Sequence, residues 1–513
     1  MCGILFVEQA DPGRLDAAAA TRLLERQRWR GPDAMRLVSL DDGRVHLGHN
    51  RLAIIDPAPR SDQPMRSADG RYTIVFNGEI YNFRALRRRH GLVTATESDT
   101  ETLLAGYQRL GESFLEELEG MYAFVIHDAQ THRWIAARDA LGIKPLYLHR
   151  STALTVIASE PAVVAAAIAA PVDAQSVAEW RLIRRPVPGA SFFVGVHELL
   201  PGTLLRSDGS STRLWSLATH RDNDAFDPVR FEDCLREVVR EHEISDVANV
   251  ALLSGGIDSA VVMALSRTAR AYSVGLPTAN EFDGAADTAR QLGRELRTVD
   301  VAEAALAERW RALVRLRGEP LAVPNEGLIH AVCSAMGEDE KVVLTGEGAD
   351  ELLFGYDRIY RWALETPQPD LHAFLARYGY SDTQAPTPRL LELLGRLSEG
   401  ARTIDFVEDF FFTVHLPGLL RRMDFAAMAA SKEARVPFAD RRLVALCYRA
   451  APAHRLDASA SKLPLRRLLE RIGLVGPLAR AKIGFSATPN PRMTRYDEYR
   501  GFQDLMLKEL AWS

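Results

Sequence analysis

The stretch "VANVALLSGGIDSAVVMALSRTA" (residues 247–269) decides how the second half of the chain folds. Its apolar opening predicts a buried strand, Ser254-Gly255-Gly256 a tight turn, and the stretch from Ile257 onward a helix. Two adjacent glycines let backbone approach a ligand closely, and the first helical turn offers unpaired N–H groups to an anion. No lysine follows, so this is not a Walker loop, and G-x-G-x-x-G is missing, so it is not a dinucleotide fingerprint. "AYSVGLP" (271–277) and "LRTVDV" (296–301) read as the next parallel strands of a doubly wound α/β sheet.

Further along, "KVVLTGEGADELLFGYDR" (341–358) runs an apolar strand into a cluster of acids and then aromatics. Alone, it reads as a strand followed by a helix whose first turn favours acids. "SASKLPLR" (459–466) and "RAKIGFS" (480–486) each carry one lysine, Lys462 and Lys482, which by itself is an ordinary surface charge.

Up to about residue 215 the pattern changes to short alternating runs between turns. "RVHLGHNRLAIID" (44–56), "RYTIVFNGEIYNF" (71–83) and "LTVIASE" (154–160) predict antiparallel strands, with helices near 15–28 and 99–119. This half is expected to be α+β with stacked sheets. Asn77-Gly78-Glu79 interrupts its strand in the manner of a hairpin turn, and Ser98 or Asp99 is placed to cap a helix.

Those interruptions acquire a second meaning beside Cys2. Once the initiator methionine is removed, Cys2 carries both a thiol and a free α-amine, a nucleophile with its own base. An Asn side chain beside a Gly N–H can form an oxyanion hole. Arg51 suits a substrate carboxylate, and Glu79 or Asp99 an ammonium. Together these groups hydrolyse a side-chain amide, glutamine being the natural candidate.

Composition bounds the remaining possibilities. At 513 residues the chain exceeds one ordinary core, and 47% hydrophobic with 26% charged residues is a globular balance. A net charge of −5 gives no basic footprint for nucleic acid, and "AVVAAAIAA" (162–170) is too short to span a bilayer. No signal peptide is recognisable ahead of Cys2, and Cys2, Cys234, Cys333 and Cys447 show no metal-ligand spacing, which together suggest a cytoplasmic protein with reduced thiols. "HRDNDAFDPVR" (220–230) is the candidate linker, giving domains at 2–210 and 230–513.

"MCGI", "RGPDAM", "GHNRLAIID", "QPM", "FNGEIYNF", "SDTE" and "ARDALGIKPLY" resemble, in order and spacing, the class II (N-terminal-nucleophile) glutaminase domain of glutamine-hydrolysing asparagine synthetases. The resemblance implies Cys2 as nucleophile, Asn77 and Gly78 as oxyanion donors, and Arg51, Leu52, Ile54, Ile55, Glu79 and Asp99 around glutamine. Ser254 to Ser259 resembles the pyrophosphate loop of ATP pyrophosphatases, and 341–358 resembles the segment that closes the active site of asparagine synthetases. With the family positions of Lys462 and Lys482, this resemblance implies Leu252, Ser254, Gly255, Gly256, Ser259, Val274, Thr345, Gly346, Glu347 and Lys482 around ATP. It further implies Mg2+ on Asp258 and Asp350, Lys462 stabilising charge at the phosphate, and Glu347 facing the reacting carboxylate or ammonia. "HLPGLLRRMDFAAMAASKEARVPFAD" (415–440) is similar to the family's helical core motif, where Arg435 and Asp440 read as structural and Glu433 and Arg435 as candidates to position substrate.

The implied reaction amidates a carboxylate with glutamine-derived ammonia and ATP. L-Aspartate is the default acceptor, and a homodimer is common in the family. Two departures stand out. Trp29 replaces the family's histidine before "RGPD" and reads as local packing. In "RGEPLAVPNEGLIHAVCSAM" (317–336), Gly318 replaces an acid and Asn325-Glu326 follow a proline, which opens other carboxylates: a sugar acid, a modified amino acid or a natural-product intermediate. A β-lactam-forming or peptide-cyclising synthetase fits less well, because it has no use for a glutaminase.

Overall fold

The computed structural model describes residues 2–220, 226–480 and 495–512. Lys482 and part of the candidate linker lie outside these described residues.

Two six-stranded antiparallel sheets build the first half. One runs, edge to edge, His197–Glu198, Tyr147–Arg150, Leu154–Ala158, Cys2–Gln9, Val45–Arg51 and Ala34–Leu40. The other runs Ser211–Arg213, Thr203–Arg206, Arg133–Arg138, Gly120–Asp128, Tyr72–Ile80 and Met65–Arg66. Strand alternation decides what each side chain meets. Leu5 and Val7 pack against Leu23, Leu24, Val163 and Val164 on the outer helices. Ile4 and Phe6 point the other way and join Val75, Val125 and Trp134 of the second sheet. Cys2 shares that inner face with Ile4, and Asn77 and Glu79 share theirs with Val75. The same period that builds the core therefore turns the thiol, the amide and the carboxylate toward one another.

The expected turn at Asn77-Gly78-Glu79 is not there: Tyr72–Ile80 is one continuous strand, paired throughout with Gly120–Asp128. Gly78 is required for another reason. A Cβ on it would stand 2.1 Å from the Met121 carbonyl oxygen, so the two strands approach too closely there for any side chain.

The second half centres on a five-stranded sheet with the order Glu295–Asp300, Arg270–Gly275, Ala248–Leu252, Glu340–Leu344, Glu433–Arg435, all parallel. The chain reverses direction of winding between Ala248–Leu252 and Glu340–Leu344. Ligands of doubly wound sheets bind at the carboxyl ends of the two strands flanking such a switch point. Those ends are Leu252, leading into Ser254, and Leu344, leading into Glu347. Helices Ile257–Leu265, Glu326–Ser334 and Leu416–Met428 pack around the sheet, the last touching the strand Glu433–Arg435. No helix among the described residues is long and apolar enough to cross a membrane.

Candidate functional sites

Cys2 begins its strand opposite Arg51 and is buried. Its backbone N–H donates to Asn77 Oδ1 at 2.8 Å, and its carbonyl accepts from Arg30 Nε at 3.0 Å. Asn77 Nδ2, on the amide that holds the Cys2 backbone, is buried with no hydrogen-bond partner. Burial pushes the Cys2 thiol up, opposed by a hydrogen bond from the Leu52 backbone and by the Arg51 guanidinium.

Arg51 does not point its fork into open space. Its Nη1 donates to Ala58 O (2.9 Å) and Asp62 Oδ1 (2.7 Å), and its Nη2 to Asp56 O (2.6 Å) and Ile55 O (3.3 Å). It thereby shapes the loop carrying Leu52, Ile54 and Ile55, all buried. Ser98 caps the helix Asp99–Leu110 through its Oγ, while Asp99 accepts from Ile80 N at 3.0 Å and Thr100 N at 2.8 Å. Burial raises the Asp99 carboxyl to about 6, against the pull of those two amides. Glu79 is raised too, first by burial and then by Asp99, with Arg435 opposing.

At the switch point of the parallel sheet, a cavity of about 800 Å3 collects Leu252, Ser254, Gly255, Gly256, Asp258, Ser259, Val274, Thr345, Gly346, Glu347, Asp350 and Lys462. Ser259 Oγ ties the turn by accepting from Ser254 N at 3.0 Å, and Ser254 Oγ accepts from Gly256 N at 3.1 Å. Asp258 and Asp350 converge on Lys462 Nζ, each at 2.6 Å. Two carboxylates aimed at one cationic point are the hard oxygen donors that Mg2+ takes. Among the described residues no cluster of three acids, histidines or cysteines could hold a metal unaided, so an ion there needs phosphate oxygens and water to complete its shell. That fits a metal arriving with ATP.

Several site residues carry no signal in the sequence read alone. Arg466, Arg480 and Tyr356 also line the cavity. Arg422 grips both oxygens of Glu347 at 2.9 and 3.0 Å and reaches Asn325 at 3.4 Å. Asn325 thus faces the cavity, whereas Glu326 turns into Val323 N and Arg317 and holds its own loop. Trp29 packs edge-on against Phe425 with ring centroids 5.2 Å apart, so its packing is between the halves rather than local. Arg435, read both as structural and as a candidate to position substrate, reaches Glu79 in the other half.

A buried thiol between stacked antiparallel sheets, joined to a phosphate-type turn at a switch point, defines an N-terminal-nucleophile amidotransferase fused to a nucleotide-dependent synthetase. Residues 1–216 match the glutamine amidotransferase domain family, and residues 230–510 match the asparagine synthase family. A Mycobacterium tuberculosis protein assigned as a glutamine-hydrolysing asparagine synthetase is 31% identical, over 94% of this chain and 87% of its own. Asparagine synthetase 3 of Bacillus subtilis is 27% identical over 96% of this chain and 88% of its own. Amidase chry2 of Gibberella zeae is 30% identical over 80% of this chain and 64% of its own. The chain belongs to the asparagine synthase family and is a glutamine-hydrolysing, ATP-using ligase of that type.

Proposed function

We propose that this chain adenylates a carboxylate at the switch-point cavity of a domain spanning 230–513, and amidates it with ammonia made in a domain spanning 2–210. The observation that carries the reading is the helix Leu416–Met428, which touches both sites. Asp424 on it accepts from Arg30, which holds the Cys2 carbonyl, and Arg422 on it holds Glu347.

In the glutaminase step the Cys2 thiol passes its proton to the freed α-amine and the resulting thiolate attacks the side-chain carbonyl of glutamine. Asn77 Nδ2 and the Gly78 N–H stabilise the oxyanion. Ammonia leaves with that proton, and water cleaves the thioester to give glutamate. Asp99 and Glu79 receive the substrate ammonium. Arg51, already engaged with its loop, supplies charge near the carboxylate.

In the synthetase step an acceptor carboxylate oxygen attacks the α-phosphorus of ATP and pyrophosphate departs onto the Ser254–Ser259 turn. Asp258 and Asp350 would hold Mg2+, which supplies charge neutralisation on the phosphates. Lys462 offsets charge on the same phosphates, and Glu347 faces the reacting carboxylate or the incoming ammonia. Ammonia then attacks the acyl carbon and AMP leaves. L-Aspartate, giving L-asparagine, is the acceptor supported by the assignments of the relatives.

One observation favours a second reading: Asn325, Ile329 and Met423 are among the residues lining the cavity and carry no charge, which leaves room for a carboxylate other than aspartate. Pyrophosphate release with ATP, magnesium and glutamine across a panel of carboxylates tests both. Turnover with aspartate to asparagine supports the first reading. Silence with aspartate but turnover with another carboxylate supports the second, and silence throughout beside intact glutaminase activity overturns both.

A further inference from the structure

Two small adjoining cavities lie outside both sites, between the segment that follows helix Ala174–Ile183 and the helix Leu416–Met428. Their volumes are about 20 and 40 Å3. At roughly 10–15 Å3 for each water-sized occupant, that is room for about one and about three atoms. Both are walled by Arg184, Arg185 and Arg422, and the larger adds Arg317 and Arg421.

Acids reach most of these arginines, Glu319 lining the larger cavity itself, Glu326 meeting Arg317 and Glu347 meeting Arg422, but the wall carries more cations than they offset. Glu198 serves Arg185 but also Arg138. Glu160 is shared by Arg421 and Arg30, and Glu319 by Arg421 and Arg317. Arg184 forms no ion pair with any described residue. Its Nη2 donates to the Tyr378 hydroxyl at 3.2 Å and to His415 Nδ1 at 2.9 Å, it meets Tyr499, and it lies over the Tyr380 ring at 4.0 Å. Arg422 is 7% exposed; its Nη2 is paired with both oxygens of Glu347, but its Nε is buried without a partner. Burying guanidinium charge and donors without an acceptor is costly, and a bound anion removes that cost.

The fold places this pocket deliberately close to the chemistry. A π turn, Phe411–His415, ends at His415, and such turns are rare and frequent at functional sites. His415 Nε2 lies 3.0 Å from the Tyr356 hydroxyl, which donates to Glu351 at 2.6 Å. One chain of hydrogen bonds therefore joins Arg184 to the residue beside Asp350.

We propose that the paired cavities form a binding site for a monoanion of carboxylate size, held by Arg184 and Arg422. Three atoms, the Arg184 guanidinium without an ion pair and the unpartnered Arg422 Nε–H match a carboxylate, and a halide fills the same volume. The anion has two conceivable sources. One is a second acidic group on the acceptor, entering past Arg422 and Asn325, an option that rests on the synthetase reading above. The other is a free small anion from solution.

The test uses the full chain in a buffer without small anions, with sodium acetate and sodium bromide as probes. Acetate is expected to raise the melting temperature saturably, and Arg184→Gln to raise the half-saturating concentration at least tenfold, with Arg184→Lys in between. Crystals soaked in bromide are expected to show an anomalous peak in contact with Arg184 and Arg422, a readout that needs neither a variant nor turnover. Acetate competing with the acceptor, together with a tenfold higher acceptor KM in Arg184→Gln, assigns the site to the acceptor. Stabilisation without competition assigns it to a free anion. No saturable acetate effect and no bromide between the two guanidiniums overturns the site, whatever the panel of acceptors gives.

Discussion

Arg435 Nη2 lies 3.1 Å from Glu79 Oε2, both side chains are buried, and 356 positions of chain separate them. The same guanidinium donates to Glu433 at 2.6 Å and to the carbonyls of His242 and Ile244 at 2.8 and 2.6 Å. One residue of the synthetase half thus fixes a carboxylate in the proposed glutamine pocket. Truncation leaves two buried acids uncompensated, and breaking a buried pair from one side costs about 3–5 kcal/mol. Arg435→Ala is expected to lose that much in urea unfolding. Arg435→Lys, which keeps the charge but not the fork, is expected to lose less and to raise the glutamine KM.

Cys2→Ala removes the proposed nucleophile and leaves the switch-point cavity untouched. Glutamine-dependent amidation is expected to vanish while amidation with added ammonium salt continues at close to the wild-type rate. Loss of both would show that the two chemistries do not occupy separate sites.

Much of this architecture was legible from local pattern. The buried strand, Gly-Gly turn and helix at 247–269 can satisfy their backbone in few ways, and the alternation around Cys2 and Val75 sets which faces meet. What escaped was long-range. Glu79 was visible as a polar break in a strand, but its partner Arg435 comes from the far end of the chain, and no period connects them. Arg30 was visible inside "RWRGPD" without any sign that it reaches Cys2 and Asp424. The supposed turn at Asn77-Gly78-Glu79 failed because glycine there answers a close strand approach, which turn chemistry imitates in sequence.

The pH dependence of glutamine use tests Asp99. Burial sets its carboxyl at about 6, above the ordinary value of 3.8. A raised folded-state pKa means the folded chain holds a proton there between those two values, so this group adds stability as pH falls through that range. Glutamine binding runs the opposite way, since the ammonium needs the charged form. The glutaminase KM for glutamine is expected to rise as pH falls below about 6, and Asp99→Asn to raise KM at pH 8 and flatten the profile. An unchanged profile in the variant would remove Asp99 from the site.

Gly355 offers a steric probe of the synthetase cavity. A Cβ there would sit 1.8 Å from Asp350 Oδ1 and 2.4 Å from Lys462 Cε. Gly355→Ala is expected to cut pyrophosphate release at least a hundredfold while glutaminase activity stays within about twofold. Equal loss of both would mean that the variant disturbs the fold and not the cavity.

The coupling of the two activities is carried, in our reading, by the helix Leu416–Met428. Asp424 accepts from Arg30 Nη2 at 2.8 Å and lies 3.4 Å from the buried Lys144 Nζ. Burial alone would raise its carboxyl, but those two cations pull it below the ordinary range. Two positions away on the helix, and so on a different face, Arg422 holds Glu347. A movement of Glu347 when ATP and acceptor bind can therefore reach Arg30, and through it the backbone of Cys2. Asp424→Asn keeps the shape of the side chain and removes the charge on which Arg30 and Lys144 pull. The expected result is severalfold more glutamate formed per pyrophosphate, with the ammonia-dependent rate held within about twofold. A ratio that stays at the wild-type value would locate the coupling elsewhere, with the Glu79–Arg435 contact the next place to look.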